Sequence, residues 1–255
     1  MKIDILTLFP KIFDNFFTTS ILGRAQTKKI AKIKTYNLRQ WGLGRYRQVD
    51  DRPYGGGPGM IMRFDVVYNA IKSLKRKMKK KCKIKIILPT PRGKIFDQKM
   101  AQKLAREKHL IFICPHYEGY DERIASLADY KISIGNYILT GGEIPALAII
   151  DSVVRLLPSA IKPESLLEES FSMISMKSET QNPEQTLSLK LQKSNKLKNY
   201  EPIPILEYPQ YTRPEIFEYK IKGKIIKKRV PKVLLSGHHA EIEKWRKQRR
   251  KITKL

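Results

Sequence analysis

Short apolar runs rich in β-branched residues alternate along this chain with stretches in which apolar residues recur every three or four positions. The run IDILTLF at 3–9 predicts a buried strand. Pro10 then opens a helix through Phe17, with Ile12, Phe13 and Phe16 on its apolar face. A second helix near 21–30 leads to a strand at 33–38, followed by a polar, glycine-rich loop over 39–59. From Phe64 onward, Val66, Val67, Ala70, Ile71 and Leu74 keep helical spacing. Further strands are expected at 84–88, 110–114 and 130–134, and further helices at 97–106, 121–128 and, long and apolar, at 143–157. This β-α alternation predicts an α/β fold, with a mainly parallel sheet flanked by helices on both faces. No internal repeat is visible.

The pattern changes at Pro158. The stretch 173–205 is rich in Ser, Lys, Gln and Asn and poor in aromatic residues, and reads as a flexible insertion or linker. Order returns with 212–219, a hairpin edge at 222–230 and a closing helix from about 238 to 250. A chain of 255 residues has room for one or two domains of roughly 100–200 residues. The expected division is a first domain over 1–160, an interdomain linker over 161–172, a low-complexity insertion over 173–205 and a small helical domain over 206–255.

Charge narrows the choice of partner. Lys and Arg number 51 against 24 Asp and Glu, a formal net charge of +27. Both halves share the excess, with +17 on 1–160 and +10 on 161–255. That disfavours a neutral enzyme with one charged tail and points to a long anion clamped by both parts. The alternative is solvated lysine decoration, and the run at 75–81 reads as an exposed helix end favoured by the helix dipole. No stretch approaches 18 consecutive apolar residues, and Pro10 interrupts the start before a signal peptide's apolar region could finish. Neither membrane insertion nor secretion is expected. Two cysteines, Cys82 and Cys114, are too few for a disulfide scaffold or a Cys-based zinc site and fit a reducing cytoplasm.

Three Gly/Pro-rich loops stand at the ends of expected strands: LPTPRGK at 88–94, CPHYEGYDER at 114–123 and SIGNYILTGGE at 133–143. In an open α/β sheet that edge is where ligands bind. Gly119, Gly135, Gly141 and Gly142 permit close approach of a ligand to main-chain groups, and Glu118 is available to a hydroxyl or a positive centre. Any one of these loops is an ordinary βα turn; the three together point to a pocket. Six of the fourteen glycines fall between Gly42 and Gly59, most of them in DDRPYGGGPGM at 50–60. No Gly-Lys-Ser/Thr follows and GxGxxG is absent, which excludes a P-loop and a dinucleotide-type fingerprint. This segment reads as an ordered, function-bearing loop.

The remaining candidates are single residues. His238 and His239 invite a metal or acid–base reading, but Ser236 before them looks like a helix cap, so structural use is preferred and no metal site is expected. His109 has no visible partner. Arg155 on the apolar helix is costly there unless paired or used, and a functional role and a buried ion pair stand equal. Glu168 and Glu169 follow shortly after.

Taken in order, DDRPYGGGPGM, HYEGYDER, IGNYILTGGEIPALAIIDSVVR, YTRPEIF and VPKVLLSGHHAEIEKWR resemble the bacterial tRNA (guanine-N1-)-methyltransferase family, over 1–172 and 206–250. The resemblance implies a SPOUT fold whose strands and loops form a trefoil knot, which general rules against threaded chains would not suggest. It implies methyl transfer from S-adenosyl-L-methionine to N1 of the guanosine at tRNA position 37, next to the anticodon. The implied enzyme is a cytoplasmic homodimer acting on the tRNA anticodon stem-loop, with neither membrane nor DNA as partner, and with Mg²⁺ as a candidate aid. By resemblance the methyl donor rests on Leu88, Pro89 and Pro91 of the first loop and on Pro115 and Glu118 of the second. From the third loop come Ser133, Ile134, Gly135, Asn136, Tyr137, Ile138, Leu139, Gly141 and Gly142. The loop around 50–59 is implied to shape an active site shared between subunits.

Guanine N1 carries a proton and is a poor nucleophile until that proton leaves. Methyl transfer to it therefore needs a base, worth about 10²–10⁴ in rate, and a cation where negative charge spreads onto O6. The resemblance assigns the base to Glu169, presented by the partner subunit's linker, and the cation to Arg155. Family members usually carry Asp at the place of Glu169, with Glu168 here as the alternative. Arg92, Pro115, Asn136 and Gln210 replace the usual Gln, Gly, Asp and His. Two other readings compete. One is a knotted ribose 2′-O-methyltransferase, whose chemistry has no call for the carboxylate–Arg pairing. The other is a non-catalytic basic RNA-binding protein, in which ligand-loop glycines would serve no purpose.

Overall fold

The computed structural model describes residues 1–54, 58–76, 83–162, 165–166, 169–171, 174–175, 203–206, 208–209, 211, 215–221, 224–249 and 251–252. The chain divides into two compact units, Met1–Lys162 and Pro163–Leu255. The first contains strands β1 (Lys2–Thr7), β2 (Lys32–Asn37), the short pair β3 (Asp50–Asp51) and β4 (Ile61–Met62), β5 (Lys85–Ile95), β6 (His109–Ile113) and β7 (Tyr130–Ser133). Its α-helices are α1 (Asp14–Thr18), α2 (Ser20–Thr27), α3 (Phe64–Arg76), α4 (Gln98–Ala105), α5 (Arg123–Leu127) and α6 (Glu143–Val154). Five strands make one sheet in the order β2-β1-β6-β5-β7, and every neighbouring pair is parallel. The α/β architecture expected from the alternation is the one found.

Burial follows from strand alternation. β6 is buried along its whole length, as a central strand covered on both faces must be. Leu110 and Phe112 turn to one face, where they pack with Phe17, Leu22, Leu104 and the apolar side of α6. Ile111 and Ile113 turn to the other and meet Val66, Val67, Ala70 and Leu74 of α3 with Ile124 of α5. Asp97 caps α4 through its side chain, which accepts from the Met100 N–H at 2.7 Å. Helix α3 is described to Arg76; the basic run expected to end it, and Cys82, continue outside the described residues.

Two features depart from the sequence expectation. His109, for which no partner was visible, places Nε2 2.8 Å from Asp4 Oδ2, and both side chains are fully buried. Lys2 Nζ approaches the same oxygen at 2.8 Å. Burial pushes the Asp4 carboxyl up, but the hydrogen bonds from His109 and Lys2 outweigh it and hold the group below its ordinary 3.8. Strand β5, expected to end at 88, runs on to Ile95 around an excursion. Pro89 and Lys94 both sit opposite Ile132 of β7, so the four residues between them leave the sheet and return to the same place. Gly93 makes the return feasible: a Cβ there would stand 2.4 Å from the Ile132 backbone nitrogen.

In the second unit, β8 (Ile174–Ser175), β9 (Ile203–Leu206), β10 (Ile216–Ile221), β11 (Lys224–Arg229), α7 (His239–Arg249) and β12 (Lys251–Ile252) are described. β10 and β11 form an antiparallel hairpin, and β12, β9 and β8 a small antiparallel sheet. The module expected to be helical thus contains strands beside its closing helix. Of the segment 173–205, residues 173 and 176–202 lie outside the described residues, as do Glu168 and Gln210.

Candidate active site

The excursion within β5 and the C-terminal ends of β6 and β7 deliver the three Gly/Pro-rich loops to one cavity of about 230 Å³. Hollows of about 410 and 350 Å³ lie along α3 and beside Asp51 and Asp121, so size alone does not mark the site; the convergence of loops does. Pro89 and Pro91 enter from the first loop, and Pro115 and Glu118 from the second. The third loop supplies Ser133, Ile134, Gly135, Tyr137, Ile138, Leu139, Gly141 and Gly142. Leu88 and Asn136 stand outside this wall. Alternation along β5 turns Leu88 into the core beneath α3, and Asn136 is solvent-exposed. Thr90, His116, Tyr117 and Tyr120 also line the cavity, although sequence reasoning passed over them; their position inside the first two loops was the available signal.

Short-range bonds tie the loops to one another. The Gly142 N–H donates to the Pro115 carbonyl at 2.8 Å, and the Phe96 N–H to the Ser133 carbonyl at 2.8 Å. Tyr120 donates its hydroxyl to Thr90 Oγ1 at 3.1 Å, which joins the second loop to the first. A Cβ on Gly142 would lie 2.4 Å from Pro115 Cδ, so the contact between the second and third loops requires glycine. The loop around 50–59 belongs to the same neighbourhood. Met60 and Met62 exchange main-chain hydrogen bonds with Glu118 and Gly119 at 3.1 and 2.9 Å. Gly59, with φ 72°, passes so close that a Cβ would meet Glu118 Cγ at 2.4 Å. The Tyr117 phenol is pushed above its ordinary value by burial and then by Asp50.

The wall is chemically mixed in a way that suits a nucleoside carrying a polar tail. Pro89, Pro91, Ile134 and Leu139 give flat apolar surfaces, loop main chain offers donors and acceptors, and Glu118 offers a negative charge. Cys114 below the second loop is fully buried, and burial, reinforced by the nearby Glu143 carboxylate, pushes its thiol well above the ordinary value. It is therefore no nucleophile. Among the described residues no group of three or more His, Cys, Asp or Glu side chains could hold a metal ion. Nor is any helix among them long and apolar enough to cross a membrane.

Arg155 follows α6 directly as its C-cap residue and is half-buried in the first unit. Glu169 is half-buried in a turn of the second unit, so the two residues expected to act on the guanine come from different units. His238 donates its main-chain N–H to Ser236 Oγ at 3.2 Å, which supports the structural use of that hydroxyl just before α7.

Comparison with known proteins decides among the readings. The family described as tRNA (Guanine-1)-methyltransferase TrmD matches residues 1–254. This chain belongs to that family. A tRNA (guanine-N(1)-)-methyltransferase of Clostridium novyi is 44% identical over 248 residues, covering 97% of this chain and 85% of the relative. Proteins of the same name from Dictyoglomus turgidum and Staphylococcus haemolyticus are each 42% identical, covering 97% and 99% of this chain and 84% and 86% of their own lengths. The family match runs through 173–205, the segment that the resemblance by motifs had left aside. Membership makes the chain a methyltransferase with tRNA as substrate and implies S-adenosyl-L-methionine as the methyl donor.

Proposed function

We propose that this protein transfers a methyl group from S-adenosyl-L-methionine to N1 of the guanosine at tRNA position 37. It does so as a cytoplasmic homodimer that grips the anticodon stem-loop. The observation that carries this reading is the meeting of the three strand-end loops at one cavity with apolar, main-chain and acidic surfaces, in a chain that matches the family from end to end. Pro89, Pro91, Ile134 and Leu139 would sandwich the adenine, main-chain groups of the third loop would read its edge, and Glu118 would face the amino end. The bound donor supplies an electrophilic methyl on a cationic sulfonium. The excursion of β5 around Gly93 and the clasp between Gly142 and Pro115 are the places where a SPOUT trefoil knot would thread.

Glu169 takes the N1 proton, and Arg155 donates to O6 as negative charge gathers there. In this reading the knotted domain over 1–160 supplies Arg155, and the linker over 161–172, contributed by the partner subunit, supplies Glu169. The 206–255 portion binds tRNA. There, aromatic rings and guanidinium groups interleave: Arg246 lies 5.0 Å from the Tyr208 ring, Arg249 lies 5.9 Å from the Trp245 ring, and Tyr211 and Trp245 stand 6.3 Å apart. Such a surface suits stacked bases and phosphates. A Mg²⁺ ion, if used, would rest on one or two carboxylates and on substrate oxygens, its common mode.

Single-turnover kinetics on undermodified tRNA test the assignment. Glu169→Gln should lower the methyl-transfer rate by about 10³ while donor affinity stays within about twofold. Arg155→Ala should lower the rate by about 10² with tRNA affinity nearly unchanged. Near-normal turnover by Glu169→Gln would move the base to another carboxylate, and a pure affinity defect in Arg155→Ala would remove its O6 role.

A further inference from the structure

One buried charge beside the cavity has no part in the chemistry described so far. Glu143 opens α6, directly after the third loop, and only 4% of it is exposed. Its Oε1 accepts a hydrogen bond from the fully buried Thr7 hydroxyl at 2.7 Å, and Thr7 Oγ1 in turn accepts the Phe9 N–H at 2.9 Å. Oε2 has no hydrogen-bond partner and the carboxylate no ion pair among the described residues. Oε2 faces the space over Gly141, a residue of the cavity wall: a Cβ on Gly141 would stand 2.4 Å from Glu143 Oε2 and 2.8 Å from His116 Nδ1. His116 Nδ1 is itself buried without a partner. The carboxylate is thus held at one oxygen, has no ion pair among the described residues beyond the favourable end of its own helix, and lies against a side-chain-free glycine of the cavity wall.

We propose that Glu143 is a specificity-determining residue: its buried charge, acting through the Gly141 wall, makes the pocket prefer the cationic sulfonium donor over the neutral thioether that remains after transfer. The inference rests on the pocket being the donor site. Methyl transfer removes one positive charge from the cofactor and little of its shape, so packing contacts bind donor and product nearly alike. A fixed negative charge in a site of low polarity distinguishes them. At several ångströms, with protein between, one unit charge is worth about tenfold in relative affinity. Glu118 also lines the cavity but is exposed, so water screens its charge more strongly.

The test is calorimetric and needs no turnover. In the unaltered protein the donor should bind more tightly than S-adenosylhomocysteine. Glu143→Gln keeps the acceptor for Thr7 and removes the charge, so donor affinity should fall about tenfold while product affinity holds within about twofold. Equal loss of both ligands would make Glu143 a structural support, and no change in either would remove it from the pocket; each overturns the proposal. Should Glu143→Gln not fold, Thr7→Val keeps the shape of β1 and releases the carboxylate from its hydroxyl. The donor-to-product ratio should then fall about threefold, and an unchanged ratio would overturn the proposal. An unaltered protein that binds neither ligand would instead refute the donor-site reading.

Discussion

At the N-terminal edge of the sheet, Asp4 shares one oxygen between Lys2 and His109, whereas at the C-terminal edge Glu143 takes a single hydroxyl from Thr7. Asp4 and Thr7 stand on the same strand, three residues apart. Both carboxylates are out of water, and each should be costly unless compensated. The first is compensated at Oδ2, by a cation and an imidazole, while its Oδ1 is buried without a hydrogen-bond partner. The second has no cation among the described residues, and the loops above it form a cavity. On the role proposed for Glu143, the difference separates a charge buried for structure from one buried for a ligand. It also shows why the C-terminal edge is glycine-rich: closeness there comes from omitted side chains, as at Gly93, Gly141 and Gly142.

The strongest way to break this comparison is to remove the carboxylate at the closed edge. Asp4→Ala leaves a buried imidazole and a half-covered ammonium without their acceptor, and should cost about 3 kcal/mol in urea denaturation with donor affinity unchanged. A fall in donor affinity would mean that the edges are not separable. Next comes the open edge. Gly142→Ala drives a methyl into Pro115 and should weaken donor binding by more than about tenfold while costing about 1–3 kcal/mol of stability. Full affinity in that variant would show that the clasp does not shape the pocket.

Acid sharpens the contrast further. The Asp4 carboxyl is held below 3.8 in the folded protein, so its contribution is fully present above that pH and is lost as pH falls through the depressed value. Melting temperature should therefore drop as the solution is acidified below about pH 4, and Asp4→Asn should flatten that limb. An acid limb of unchanged steepness would assign the loss to other carboxylates. The smallest effect belongs to the exposed pair at the start of β5. Lys85→Met removes a 2.8 Å contact to Asp129 and should change stability by no more than about 0.5 kcal/mol.

The features readable from sequence were those set by local pattern. The apolar run of β6, the helical spacing of α3 and the position of all three loops depend on residues a few places apart, and the structure has them where the pattern placed them. What escaped were pairings across the chain. Asp4 and His109 are 105 residues apart and meet through the parallel pairing of β1 with β6, and Thr7 and Glu143 are 136 apart and meet where α6 begins beside the end of β1. The return of β5 after Gly93 was hidden for a related reason, since Pro89 and Pro91 look like the end of a strand until β7 supplies a partner for Lys94 and Ile95. Leu88, assigned to the donor by resemblance alone, has its side chain turned into the core by strand alternation. The catalytic roles proposed for Arg155 and Glu169 rest on family likeness alone, because nothing in spacing or period links the two residues.

The central claim is that the loop-lined cavity serves methylation of a guanine ring nitrogen in tRNA. Its most direct test is to incubate the protein with labelled S-adenosyl-L-methionine and an unmodified tRNA bearing guanosine at position 37, then digest the RNA and identify the labelled nucleoside. The account predicts N1-methylguanosine, with the label absent when that guanosine is replaced by adenosine. A ribose-methylated nucleoside, or label that persists after the replacement, would contradict it.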